Sequence, residues 1–508
     1  MVTRSPKAAR SPRPEELTAS GGLDGWFEIT KRGSTLAREV RGGLVTFFTM
    51  AYIIALNPLI IGTATDKNGL LLSGQPKLDA AGVVIGANVG ASIAMVAAAT
   101  ALVAGMMTIL MGVYGRFPLG LATGLGLNAL LAYVIAPKLT WPQAMGLVVW
   151  EGIIITVLVL TGFRRAVFRA VPRSLRTGIS VGIGLFIAFI GFVDAGFVRK
   201  PLGPTPVELG INGSLTGWPI AVFVIGLFLL ILLFVRRAKG AMLIAIIAAT
   251  ALGVAVEAVL HLGARVGTEN PTGWALNVPA LSAFTAPDLS LIGRVDLFGA
   301  FVGVDASVVL GLVLLVFSLL LADFFDTMGT VVAVGAEGDL LDQAGNPPRV
   351  QEILVVDSIA AMAGGLGSVS SNTSYIESAA GVGEGARTGL ASVVTGVAFL
   401  LSLFLAPLVN MVPSEAAATV LVFVGFLMMS QVTHVDWEDP EEGIPAFLTM
   451  VLMPFTYSIT VGIGAGFVTY VAIKLFKGKA REVHPLMYVV SGLFAIYFVQ
   501  GLILGLIS

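Results

Sequence analysis

The chain has 508 residues, of which 56% are hydrophobic and only 12% charged. Soluble domains carry about 25% charged residues, so neither a water-soluble multidomain enzyme nor a disordered chain fits. The formal net charge of −1 offers nucleic acid no electrostatic partner, and the absence of cysteine removes disulfides, thiolate metal sites and cysteine nucleophiles.

With about 20 apolar residues per span, the composition predicts an all-α polytopic membrane protein. Residues 1–43 are polar and basic, with Lys31, Arg32, Arg38 and Arg41 just before the first apolar run. They lack the apolar core of a cleavable signal peptide, and the positive-inside rule makes this segment cytoplasmic.

A first set of apolar runs follows near 44–62, 92–113, 119–136, 141–161, 175–194, 217–235 and 240–262. The polar stretch 263–306 is the expected extracytoplasmic connector. A second set falls near 307–334, 352–367, 372–383, 388–411, 416–433, 443–475 and 484–507. Basic clusters at Arg164, Arg165, Arg169, Arg173 and Arg176, and at Arg236, Arg237 and Lys239, follow four and six spans, on the cytoplasmic side by parity. The 33-residue run 443–475 is long for one helix. A break near Pro454–Tyr457 would return Lys474, Lys477, Lys479 and Arg481 to the cytoplasmic side and make the last helix an extra.

About 14 spans are expected, as repeats over 44–262 and 307–508. An odd number of spans per half inverts the second repeat relative to the first, a common secondary-transporter design. The third run of each half is the informative one. Phe117–Asn128 carries glycines at 120, 124 and 126, and Gly367–Gly381 is rich in serine and threonine and contains Glu377. Such backbone survives at membrane depth only when buried in protein or lining a cavity. Broken segments at matching places in two halves point to a transporter's binding site.

The run 307–334 holds Asp323 and Asp326, three residues apart and so on one helix face, with Thr330 one turn further on. A carboxylate at mid-membrane costs about 2.5–3.5 kcal/mol even on the lenient insertion scale. The pair is therefore expected to face a polar cavity or to exchange protons. The alternative is an early helix end that leaves both at the headgroups. Glu377 is the third candidate, against a solvated loop glutamate. Asn128 sits in the matching broken segment, against a helix-packing amide. Asn57-Pro58 reads as a turn closing the first span, Glu151 as interfacial, and Asp357, Glu384 and Arg387 as residues of mouths or loops, the last two forming a surface pair. The stretch Asp436–Glu442 reads as a water-exposed loop. Neither a phosphate loop nor a histidine cluster is present, so no metal and no cofactor are expected.

Several motifs carry a family resemblance. Thr46–Pro58, Gly124–Ala129, Asp323–Thr330, Thr373–Gly381 and Arg387–Ala391, in this order, resemble the azaguanine-type (AzgA-like) purine permeases, related to the nucleobase–ascorbate transporters. The likeness runs from about residue 26 to the end.

The resemblance implies a 14-helix fold of two inverted seven-helix repeats with broken third and tenth helices. It implies a core (44–161 and 307–411) moving elevator-like against a gate (175–262 and 416–508). It also implies proton-coupled import of hypoxanthine, guanine or adenine across the plasma membrane, by a homodimer. Asp326, Glu377 and Asn128 match the family's substrate-binding carboxylates and asparagine. Thr330 and Ser378 join them in the substrate site, and Asp323 with Asp326 is expected to couple protons. Thr330 departs from the histidine of pyrimidine-transporting cousins, so no histidine relay is expected. The carboxylates would accept hydrogen bonds from ring N–H groups when ionised and donate when protonated, with half-helix ends adding partial positive charge. The same fold carrying xanthine, uracil or another small solute is the alternative; three acidic residues argue against an anion.

Overall fold

The computed structural model describes residues 22–161, 170–201, 205–266, 269–280, 286–342 and 347–507. Arg164, Arg165 and Arg169 of the first basic cluster lie outside the described residues. Among the described residues, ten helices are long and apolar enough to cross a membrane.

In the first half, the short α1 (Leu23–Phe27) precedes α2 (Leu36–Met50) and α3 (Ile53–Ile61), which together make one continuous span. Asn57-Pro58 does not close it. The helix runs on to Ile61, and the Asn57 amide donates to Thr100 Oγ1 at 2.8 Å and to the Val369 carbonyl at 3.1 Å. Neighbouring helices tolerate a membrane proline by re-satisfying local polar groups, and here the asparagine beside it becomes a packing contact.

Then come α4 (Gly86–Leu110), β1 (Leu121–Thr123), α5 (Leu125–Leu130), α6 (Trp141–Leu160) and α7 (Arg173–Asp194). The short strands β2 (Val198–Arg199) and β3 (Glu208–Leu209) precede α8 (Trp218–Val235) and α9 (Ala241–Leu260).

The second half begins with α10 (Ala306–Glu337), α11 (Val350–Leu366), β4 (Asn372–Ser374), α12 (Ser378–Gly383) and α13 (Gly389–Ser402). It continues with α14 (Ser414–Met429), α15 (Pro440–Thr456), α16 (Ile459–Phe476) and α17 (Pro485–Ile507). The run 443–475 is thus two helices, hinged at Tyr457 in the left-handed region, and α17 is an additional segment beyond seven in this half.

The hinge brings Lys474, Lys477 and Lys479 back to Glu441 at 2.7, 2.8 and 2.6 Å. Glu441 is buried in the first turn of α15 instead of lying in an exposed loop, because three ammonium groups compensate its charge. Glu384 pairs not with Arg387 but with Arg41, at 3.0 Å, and with Lys239. The Arg387 guanidinium instead donates to the carbonyls of Val382 and Ala386.

The helices interleave between halves. α6 lies on α11, α4 on α13, and α2 on α12 and α13; α7 lies on α14 and α15, while α8 packs against α9 and α14. Without a hydrophobic drive between lipid-solvated helices, close contact depends on small residues. A Cβ on Gly381 would collide with Thr46 and the Gly42 carbonyl, and one on Gly389 with the Gly112 carbonyl.

At the centre, β1 and β4 cross antiparallel, pairing Leu121 with Ser374, Ala122 with Thr373, and Thr123 with Asn372. Each strand is followed by a half-helix, α5 or α12. The exposed edges of this extended backbone are satisfied by side chains, as membrane depth requires. Thr108 Oγ1 takes the Leu121 N–H and donates to its carbonyl, and Ser392 does the same at Leu119. The two broken third segments read from the sequence are therefore partners in one ladder.

Candidate functional site

The crossing sets the site. On one side of it lies a cavity walled by Gly124, Gly126 and Leu127 from the first broken segment, Ile179, Ser180 and Ile183 from α7, Ala322, Phe325 and Asp326 from α10, and Met428 from α14. Asp326 is the ionisable group of this wall and is exposed to the space. The ring of Phe325 lies under the guanidinium of Arg176, at 5.9 Å.

Glu377 immediately precedes α12, half-buried and within electrostatic reach of Asp326. Its Oε1 accepts the phenol of Tyr52 at 2.6 Å. Tyr375 stands beside both carboxylates, and its hydroxyl donates to the Thr123 carbonyl at 2.5 Å. Tyr52 and Tyr375 were not singled out from the sequence. Their signal is a phenol inside an otherwise apolar or broken segment, which needs a buried hydrogen-bond partner.

The other expected residues divide. Asn128 is fully buried beside the cavity wall; its amide nitrogen reaches Thr123 Oγ1 at 3.3 Å and its Oδ1 has no partner. Thr330 is buried outside the wall. The hydroxyl of Ser378 is fully buried and accepts the Gly120 N–H at 2.9 Å, which ties the second half-helix to the first broken segment.

Asp323 shares a helix face with Asp326 but not its surroundings. It is fully buried, with Thr373 beside it. Two further acids lie in the same interior. Asp357 is not at a mouth: it is buried in α11 and accepts the Thr327 hydroxyl at 2.8 Å and the Ser374 hydroxyl at 2.7 Å. Glu151 is not interfacial: it is fully buried in α6, with Ser371 beside it. Local composition hid both, because their polar partners come from other segments: Thr327 of α10 and Ser374 of β4 for Asp357, and Ser371, more than two hundred residues away, for Glu151. Among the described residues no group of three or more acidic or histidine side chains is arranged to hold a metal ion.

The protein is thus polytopic and helical, with one aspartate in the wall of a cavity beside two crossed half-helices. Residues 80–465 match the Xan_ur_permease profile of the Permease family, and the chain belongs to that family. It is thus a transporter and not an enzyme.

It is 35% identical to adenine permease AdeP of Escherichia coli (strain K12), over 95% of this chain and 97% of that one. It is 34% identical to guanine/hypoxanthine permease PbuG of Bacillus subtilis (strain 168), over 93% and 99%. These relatives agree with the resemblance to the azaguanine-type purine permeases. Among solved structures, the transmembrane domain of the cyanobacterial bicarbonate transporter BicA aligns with a TM-score of 0.55 at 14% identity, covering 85% of this chain and 97% of that one. Murine Slc26a9, an anion transporter in the inward-facing state, aligns at 0.56 and 12%, covering 93% and 77%. At these identities the likeness concerns the fold.

Proposed function

We propose that the protein imports purine nucleobases, hypoxanthine, guanine or adenine, by proton symport. The observation that carries this is the Asp326–Glu377 pair at the crossing, with Tyr52 orienting Glu377 and Phe325 forming the cavity wall. Two carboxylates offer acceptors to the ring and exocyclic N–H groups of a purine, and a flat aromatic wall suits a flat heterocycle. The adenine and guanine/hypoxanthine permeases at 34–35% identity support the choice of purine.

The substrate site is Asp326, Glu377 and Asn128, with Thr330 and Ser378 in the surrounding shell, and Asp323 and Asp326 take up the coupled proton. The core, 44–161 and 307–411, moves elevator-like against a gate of 175–262 and 416–508. The protein sits as a homodimer in the plasma membrane with its N-terminus cytoplasmic. In support, Arg41, Lys239 and Glu384 meet on one rim, where the positive-inside rule puts basic loops. The described cavity wall carries an aspartate and no cation, unlike what an anion site requires.

The test is uptake of radiolabelled hypoxanthine by a purine-transport-deficient host expressing the chain, with unlabelled competitors and a protonophore. Uptake blocked by guanine or adenine and abolished by the protonophore is expected. Correctly inserted protein without uptake would overturn purine import in favour of another solute on this fold.

A further inference from the structure

The interior behind the crossing holds more ionisable chemistry than a substrate cavity explains. Glu151 is fully buried in the middle of α6, and neither carboxylate oxygen has a hydrogen bond of good geometry. The same is true of Asp323 on α10. In the segment that brings Ser371 to Glu151 and Thr373 to Asp323, the hydroxyls of Ser370 and Ser371 and both polar atoms of the Asn372 side chain are fully buried without a hydrogen bond of good geometry. The charged groups that face Glu151 are acidic: Asp357 from α11, bound to Thr327 and Ser374, and Asp323 from α10, with Asp326 a turn further on.

Polar atoms buried without partners are costly, and an unpaired buried charge costs more. Three ionised carboxylates with no cation between them are not a stable resting arrangement, and the geometry does not suit a metal. A proton satisfies the site: on Glu151 it removes one charge and creates an O–H donor, for which Asp323 and the Ser371 hydroxyl are acceptors.

We propose that Glu151 is a proton-carrying residue of the transport cycle, standing in the interior behind Asp323 and exchanging a proton with it. The step is a transfer: Asp323 gives up its proton and becomes a carboxylate as the Glu151 carboxylate becomes a neutral acid, and the reverse step returns it. All the groups involved belong to α6, α10, α11 and the 370–374 crossing; α6 packs against both α10 and α11, and β4 packs against the same two helices. A proton stored there travels with the substrate cavity. Glu151 does not line that cavity, so its role is in coupling and not in contact with the base. The proposal rests on the proton-symport reading above.

The experiment uses the full chain in proteoliposomes with adenine and hypoxanthine as probes. It compares base exchange between preloaded vesicles, which needs no net proton movement, with accumulation driven by an imposed pH gradient and with base-triggered proton entry read by an internal dye. Glu151→Gln is expected to lose gradient-driven accumulation and proton entry by about tenfold or more while exchange persists, because a neutral amide fills the site without carrying a proton. Glu151→Asp is expected to restore proton entry with a displaced pH profile, which a packing role would not produce. A Gln variant that accumulates base with the wild-type gradient dependence would overturn the assignment. So would an Asp variant that is inserted and exchanges base but has an unaltered pH profile. If the wild type itself exchanges base without moving protons, it is the symport reading that falls, and the Glu151 role falls with it.

Discussion

The phenol of Tyr52 donates to Glu377 Oε1 across 2.6 Å, joining the first span to the start of a half-helix 325 residues later in the chain. Tyr52 is nearly inaccessible to solvent, so its hydroxyl fixes which way the carboxylate faces. Hydrogen bonds to charged groups contribute about 1.5–3 kcal/mol. Tyr52→Phe keeps the ring and its packing and removes one donor. Its half-saturation concentration for purine uptake is expected to rise about tenfold at unchanged membrane abundance. A wild-type value would show that Glu377 needs no orienting partner.

Asp326 and Glu377 themselves supply acceptors that an amide only half replaces. Made separately, Asp326→Asn and Glu377→Gln are each expected to abolish measurable uptake, since losing a charge-assisted contact and leaving its partner unpaired costs several kcal/mol of binding. Both variants are expected to remain monodisperse in detergent, because neither side chain fills the packed interior. Full uptake by either variant would remove that residue from the substrate site.

The broken segments and Asp326, the carboxylate of the cavity wall, were legible in the sequence. Glycines at 120, 124 and 126 and a polar run at 367–381 cannot form lipid-facing helices, which marks two broken segments; that these pair as the antiparallel strands β1 and β4 is a finding of the structure. Asp323 and Asp326 announced themselves by the cost of charge in an apolar run. Residues whose environment is built by distant partners were not legible. Glu151 lies at the middle of the run 141–161 and Asp357 near the start of the run 352–367, but their partners come from other segments, and α6 and α11 pack on each other and bury them. Asn57-Pro58 looked like a turn because its stabilising partners, Thr100 and Val369, are far along the chain. The 443–475 run held a break at Tyr457 that its length hinted at, although hydropathy alone counted one run.

The glycines make a contrast that separates packing from composition. A Cβ on Gly381 would strike the Gly42 carbonyl and Thr46, whereas one on Gly329, in α10 between Met328 and Thr330, would meet nothing within 4 Å. Gly381→Ala is therefore expected to lower the melting temperature of the detergent-solubilised protein and to reduce uptake. Gly329→Ala is expected to match or slightly exceed wild-type stability, since alanine is the better helix former by about 1 kcal/mol. Equal melting temperatures for the two variants would mean that α2 and α12 do not approach as closely as described.

Asp357 tests whether the interior acids are held by structure or only stored there. Its two oxygens accept hydroxyls from Thr327 at 2.8 Å and Ser374 at 2.7 Å, and Thr327 also meets Thr373 at 2.8 Å. One acid thus connects α10, α11 and β4. Asp357→Ala leaves buried hydroxyls short of an acceptor, at about 1–3 kcal/mol for each that stays unsatisfied, and opens space between two packed helices. Asp357→Asn keeps one oxygen acceptor and the volume. Thermal unfolding followed by size-exclusion in detergent should therefore rank wild type above Asn and Asn above Ala. An alanine variant as stable as the wild type would show that Thr327 and Ser374 find other acceptors. In that case Asp357 would owe its burial to transport chemistry alone, and its asparagine variant should then fail in proton-driven accumulation as Glu151→Gln is expected to do.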